Sequence, residues 1–377
     1  MLTFSKDLTQ AVFTLLATSL AAHALSIQGR ATTCNGHAEL CERNYGNVTF
    51  VGTHDSYAVG TNNLATNQDY DVTQQLTDGV RLLQVEALNQ NGTPQLCHSS
   101  CTLQNGGSLQ DYLTKVKTWM DSNPNDVVTM LITNTDGLPP SAFDTVYKAV
   151  GLDTASYTPP SAALPASGWP TLGSLIDGGT RLVSFLAQQA DFTQVPYLID
   201  EFTNVWETAF DVTDTTFDCN VNRTKGDTST QMYLINHFLD KPSVFGIPTP
   251  DVANANTTNA VSGVGSLGAQ VDTCAAQNGR NPNFLLVDFY EYGGGSVFQV
   301  AATANGVTYD PTTPIATPKA QGGSSSSNTT PSGSAPSTSV TTSSLSGARG
   351  THSASGYLWW SLAITAASGI LGASAFF

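Results

Sequence analysis

Val48-Thr49-Phe50-Val51-Gly52-Thr53-His54-Asp55-Ser56 decides how this 377-residue chain is read. An apolar, β-branched run ends in a His-Asp pair, so a strand is expected to deliver His54 at its C-terminal end. Downstream, Asp78-Gly79-Val80-Arg81-Leu82-Leu83-Gln84-Val85-Glu86 forms a second apolar run that closes on a carboxylate. Leu96-Cys97-His98-Ser99-Ser100-Cys101 then supplies a second histidine after a short extended segment, Thr93 to Leu96. Imidazole changes charge near neutrality, so it serves both as base and as acid. One histidine can take a proton from an attacking hydroxyl while the other gives one to a leaving oxygen, which suits phosphodiester cleavage.

Outward from these segments, strand-like runs recur at 48–52, 80–86, 127–133, 180–186, 231–236 and 284–290. Helical patterns lie between several of them. In Ser108 to Asp121, Leu109, Leu113, Val116 and Met120 share one face, and Ser108 with Asp111 resembles a capping box. Strands alternating with helices imply a parallel sheet, and unbroken apolar strands such as Val127–Ile132 imply cover on both faces. The segment Gly137 to Thr171 is rich in Pro, Ala and Ser and is expected to form surface connections.

The two ends read differently from the middle. Lys6, the apolar run Ala11–Ala22 and the A-x-A pattern Ala22-His23-Ala24 predict a signal peptide over 1–24. Residues 311–346 are rich in Ser, Thr, Pro and Gly, too polar to offset ordering entropy, and read as a glycosylated stalk. Small residues Ser346-Gly347-Ala348, a polar spacer and the apolar tail Tyr357–Phe377 predict a GPI-attachment signal over 347–377. The expected location is the extracellular cell surface, reached by the secretory pathway and held by a GPI anchor. Five Asn-x-Ser/Thr sequons, at Asn47, Asn91, Asn222, Asn256 and Asn328, agree with secretion.

Six cysteines form an even set, which in a secreted chain favours disulfides over metal binding. Proximity suggests Cys34–Cys41 and Cys97–Cys101, leaving Cys219–Cys274. The net charge of −15 repels nucleic acid and opposes electrostatic docking on anionic bilayers. A lipid would have to be reached through apolar contacts or the tether. The remaining 25–310 stretch, about 280 residues, suffices for one (β/α) barrel.

Five segments together resemble the phosphatidylinositol-specific phospholipase C superfamily, in particular fungal secreted PLC-like phosphodiesterases. They are GTHDS at 52–56, DGVRLLQVE at 78–86, QLCHSSC at 95–101, MYLINHFL at 232–239 and FLLVDFY at 284–290. The resemblance runs from about residue 34 to about residue 305. It implies a single-domain, irregular TIM-type α/β barrel with its chemistry at the C-terminal ends of the strands.

The resemblance also implies roles. His54 would be the general base and His98 the general acid in cleavage of a phospholipid or glycolipid by a monomer. Asp288 would orient His54. Asp55 would pair with the second histidine, as in metal-free relatives, or stand near the phosphate, as in calcium-dependent ones. Glu86 occupies a position that holds a phosphate-binding arginine in the former and an acidic ligand in the latter. It is therefore the candidate ligand for Ca2+ or Mg2+, with Gln84 on the same strand face removing one charge from such a site. Thr133 is neutral where a further acidic ligand is expected, and Asn134 or Asp136 would have to substitute. Arg81 lies on the opposite strand face and reads as structural, His237 reads as packed, and Trp206, Tyr233, Tyr290 and Tyr292 are candidates for lining the mouth. Two other readings stay open: a cell-surface binding module with weakened catalysis, and a glycerophosphodiesterase-like activity.

Overall fold

The computed structural model describes residues 30–61, 63–242 and 248–321. The signal peptide, the GPI-attachment signal, the Asn328 sequon and the stalk from residue 322 onward lie outside the described residues. Strand β1 (Phe50–Thr53) is followed by helix α1 (Val72–Asp78), β2 (Leu82–Gln90), β3 (Thr93–His98), β4 (Gln104–Ser108) and α2 (Leu109–Ser122). Next come β5 (Val128–Thr133), α3 (Pro140–Val150), α4 (Leu172–Asp177), β6 (Leu182–Leu186), β7 (Leu198–Asp200), α5 (Glu201–Asn204) and β8 (Val205–Glu207). The last elements are β9 (Met232–Asn236), β10 (Asp240–Lys241), β11 (Thr249–Pro250), α6 (Ala255–Thr258), α7 (Leu267–Asn278), β12 (Phe284–Val287) and α8 (Ser296–Asn305).

Eight strands form one parallel, curled sheet in the order β7-β6-β5-β2-β1-β12-β9-β8. Outer strands β7 and β8 are not hydrogen-bonded to each other, so this TIM-type barrel is irregular and open at one seam. All six sequence-predicted strands are present. The three-residue β7 and β8 are too short to show a periodic pattern.

Alternation of side chains places the cleft. Val51, Leu83, Val85, Met130, Ile132, Ile235, Leu285 and Val287 point outward into the helices, in a core with Leu76, Leu113, Val116, Phe143 and Val297. Phe50, Leu82, Leu131, Phe185, Met232, Leu234, Phe284 and Leu286 point inward, over Tyr45, Trp169 and Leu172. The interior is therefore apolar at its base. Further along the same inward rows come Gln84, Glu86, Thr133 and Asn236, so its C-terminal end is polar. Gly52 lies in this inner row because a Cβ there would come within 2.6 Å of Leu82 Cδ2.

Helix α2 begins where the sequence predicts, with Ser108 Oγ accepting from Asp111 N at 3.0 Å. The expectation of a surface connection over Gly137–Thr171 is corrected. That segment holds α3, with Pro at its start and Gly151 in the left-handed region at its end, and it buries Phe143, Tyr147 and Trp169. The three disulfides are Cys34–Cys41, Cys97–Cys101 and Cys219–Cys274. The expected barrel–stalk boundary at 310 is also corrected. Ile315 packs on the core, and residues 316–321 hydrogen-bond to the barrel.

Candidate active site

β1 ends directly before His54, whose inward direction continues the row of Phe50 and Gly52. β12, paired with β1 in register Thr53↔Val287, ends directly before Asp288. The pairing therefore sets the two side chains next to each other. His54 Nδ1 lies 3.0 Å from Asp288 Oδ1. A carboxylate oxygen accepts, so Nδ1 carries the proton and Nε2 is left for the cleft. The His54 ring stacks on Phe238, with centroids 3.9 Å apart and planes 6° apart.

His98 arrives by another route. β2 is longer than its neighbours, and its last four residues pair antiparallel with β3. This hairpin carries His98, the last residue of β3, to the mouth. His98 Nδ1 is 3.0 Å from the Ala65 carbonyl, an acceptor, so its Nε2 too is left for chemistry. The two ring centroids are 6.5 Å apart. Between them stands the buried Asp55 carboxylate, with Oδ2 3.5 Å from His98 Nε2 and 3.8 Å from His54 Nε2.

Asp55 adopts a positive φ of 39°, a conformation that aspartate tolerates better than most residues. Gln84 fixes it there. Its Oε1 accepts from Asp55 N at 2.6 Å, its backbone carbonyl accepts from Ser56 N at 2.9 Å, and its Nε2 donates to Thr133 Oγ1 at 3.3 Å. The neutral residues at 84 and 133 thus form a support for the His-Asp turn.

Charge tunes the pair. Burial opposes a charged His54, but the Asp288 and Asp55 carboxylates and the Asp288 hydrogen bond outweigh it, pushing its pKa up to about 9. Burial also pushes Asp288 up, against the pull of His54 and Asn67. Burial, reinforced by Asp288, raises Asp240 in the same cleft to about 7.

His54, His98, Asp55, Gln84 and Asp240 line a cleft of about 330 Å³ at the C-terminal ends of the strands. The model of the PI-PLC X family (PI-PLC X 1) matches residues 40–305, most of the folded region. The chain belongs to the PI-PLC X family. It is 46% identical over 278 residues to PI-PLC X domain-containing protein 1 of Arthroderma benhamiae, covering 73% of this chain and 90% of that relative. Another A. benhamiae relative, named an uncharacterized secreted protein, is 46% identical over 286 residues. That match covers 74% of this chain and 65% of the relative, so the chain spans just under two thirds of its length. The fold is similar to that of a phosphatidylinositol-specific phospholipase C from Staphylococcus aureus, at a TM-score of 0.50 and 14% identity, covering 70% of this chain and 94% of that one.

Within this PI-PLC X fold, Glu86 is not surrounded by a ready cluster of acidic ligands for Ca2+ or Mg2+. Among the described residues no three His, Cys, Asp or Glu side chains converge as a metal site. Glu86 accepts from Ser99 N at 3.2 Å and from Thr135 Oγ1 at 3.1 Å, and burial, then Asp55, raises its pKa. The two proposed substitutes are engaged elsewhere. Asn134 bonds Leu138 and Gln188, and Asp136 accepts from Asn89 N. Ca2+ takes about six to eight oxygen ligands, water among them, and these neighbours of Glu86 are committed to other hydrogen bonds.

Arg81 is structural, bonded to Asp126 and lying over Trp119. His237 is buried between Gln270 Oε1 and the Thr258 carbonyl, and burial lowers its pKa to about 4 against the opposing pull of those two hydrogen bonds. Trp206 and Tyr233 stack on each other in the outer core, and none of the four proposed aromatics lines the cleft. Phe238 and Phe210 do so instead.

Three further residues belong to the site. Asn67 Nδ2 donates to both Asp288 oxygens, at 3.2 and 3.1 Å. Gln68 Nε2 donates to the His54 carbonyl at 2.8 Å. Arg223 is the one Lys or Arg among the described lining residues. Its Nε and Nη2 are anchored on the buried Glu207, and its guanidinium lies 4.3 Å from the Phe210 ring centroid. All three sit on loops, where no strand or helix period marks a position.

Proposed function

We propose that the cleft cleaves a phospholipid-type phosphodiester by acid–base catalysis between His54 and His98, as a phospholipase C-like phosphodiesterase. The observation that carries this reading is the pair of imidazoles, each with Nδ1 tied to an acceptor and each with Nε2 beside Asp55. In the reaction His54 Nε2 takes the proton of a headgroup hydroxyl as that oxygen attacks phosphorus. The bond from phosphorus to the glyceryl oxygen breaks, and a protonated His98 gives its Nε2 proton to that oxygen. The product is a cyclic phosphodiester, with a diacylglycerol released. Asp288 holds the His54 tautomer and balances the imidazolium that forms, while Asp55 balances a charged His98. Arg223 supplies the permanent positive charge of the wall for the anionic substrate.

Access to lipid fits the surface. Leu64 and Leu103 are exposed on the two loops that flank His98, joined by the Asn63–Gln104 hydrogen bond, and Phe210 is exposed on the cleft wall. An acidic chain would meet a bilayer through such apolar side chains rather than through charge.

Turnover is expected to be insensitive to EDTA, a reading supported by the lack of a ready acidic cluster among the described residues. Initial rates on phosphatidylinositol in mixed micelles, with and without EDTA, provide the check. Equal rates, exceeding those on phosphatidylcholine, which lacks a headgroup hydroxyl for the internal attack, support the reading. Abolition by EDTA, restored by Ca2+, contradicts the metal-free mechanism. Equal turnover of both lipids contradicts internal attack.

A further inference from the structure

The His54–Asp288 pair is set from behind by Asn67 and Gln68. Asn67 feeds both Asp288 oxygens, and Gln68 Nε2 bridges the His54 and Val287 carbonyls at 2.8 and 3.2 Å. The inner side of this turn is tied to Ala58 and Phe289 by backbone hydrogen bonds. Its outer side, Asp69 and Tyr70, is held by residues about 250 positions away in sequence.

The contacts are dense. Lys319 N donates to Asp69 Oδ2 at 2.6 Å, Gln321 Nε2 donates to Asp69 Oδ1 at 2.9 Å, and Lys319 Nζ donates to the Asp69 carbonyl. The same ammonium lies 4.2 Å from the Tyr70 ring centroid, and Tyr70 OH donates to the Thr317 carbonyl at 2.6 Å. Ala316 N donates to Asp78 Oδ2, which also accepts from Tyr290 OH.

This segment answers an electrostatic need. Asp69 and Glu291 are both fully buried and adjacent. Burial, with Asp69 and Asp78 nearby, raises Glu291 to about 9, so Glu291 keeps its proton at neutral pH. A buried carboxylate needs donors, and residues 319 and 321 provide them.

We propose that residues 316–321 act as a positioning strap for the catalytic pair, holding Asp69 and Tyr70 so that Asn67 and Gln68 keep Asp288 and His54 aligned. The kinetic half of this inference rests on the base role assigned to His54, and the geometric half does not.

The test is made in the full chain with Lys319→Ala, Lys319→Arg and Tyr70→Phe, the last removing only the bond to Thr317. The primary readout is the NMR titration of the His54 imidazole, which stands whether or not a substrate is turned over. Lys319→Ala is expected to move the His54 midpoint down from about 9 and to lower kcat several-fold with little change in KM. Lys319→Arg is expected to restore part of both, and Tyr70→Phe to shift the midpoint the same way by less. Folded Lys319→Ala and Tyr70→Phe variants with the wild-type midpoint overturn the strap. A shifted midpoint with no activity in the wild type supports the strap and counts against the proposed reaction instead.

Discussion

His54→Ala and His98→Ala should each lower kcat/KM on phosphatidylinositol by on the order of 10²–10⁴-fold. Removing the first leaves no base for the attacking hydroxyl, and removing the second leaves the departing oxygen without a proton. The double variant is expected to fall little further, because the two imidazoles serve one transition state and their losses do not add. Both side chains are only partly enclosed and sit at the rim of the apolar core, so their loss leaves the barrel folded. Steady-state rates with matched far-UV spectra make the comparison. If either folded single variant retains wild-type kcat/KM, that histidine is not in the mechanism.

Asp288→Asn should change both the rate and its dependence on pH. His54 is raised above its ordinary value of 6.5, to about 9, chiefly by the Asp288 and Asp55 charges working against burial. The neutral imidazole is the base, so the competent form accumulates as pH rises through that value. The acid limb of kcat/KM in the wild type is therefore expected well above 6.5. An amide at 288 removes one charge and the carboxylate acceptor, so the desolvation that opposes the imidazolium gains weight and the limb moves down, toward 6.5. The plateau rate falls at the same time, by on the order of 10²–10⁴-fold, because the tautomer is no longer fixed and the imidazolium is not balanced. A pH profile from about 5 to 10 records both effects. An unchanged limb with a normal plateau would remove Asp288 from the base.

Much of this arrangement can be read from the sequence because strands write their register in it. His54 and Asp288 each follow an apolar strand, and two such strands in parallel register set their ends side by side. The Gln84/Glu86 pair is likewise visible, because alternation alone puts both on the inner face. Their use is less visible. Gln84 reads as a ligand that has lost its charge, whereas it is the acceptor that holds Asp55 in a left-handed turn. Such a role depends on a backbone amide of a neighbouring strand, and side-chain type does not encode it.

The loop residues were hidden for a related reason. Asn67, Gln68 and Arg223 reach the site across 221, 14 and 16 positions of chain, to Asp288, His54 and Glu207, with no period to mark them. The 316–321 strap was masked by composition. It directly precedes a polar Ser/Thr-rich stretch and reads as its beginning, although the hydrogen bonds it gives to the buried Asp69 carboxyl fix its place. Helix α3 was obscured in the same way, by the prolines and alanines around it, even though Pro140 and Gly151 mark its two ends.

The central claim is that His54 and His98 drive internal attack at phosphorus, and ³¹P NMR of the reaction on phosphatidylinositol tests it most directly. The account predicts a cyclic phosphodiester signal that appears first in the soluble fraction and is absent with His54→Ala. A monoester formed with no cyclic precursor, or the same cyclic signal from the His54→Ala chain, would contradict it.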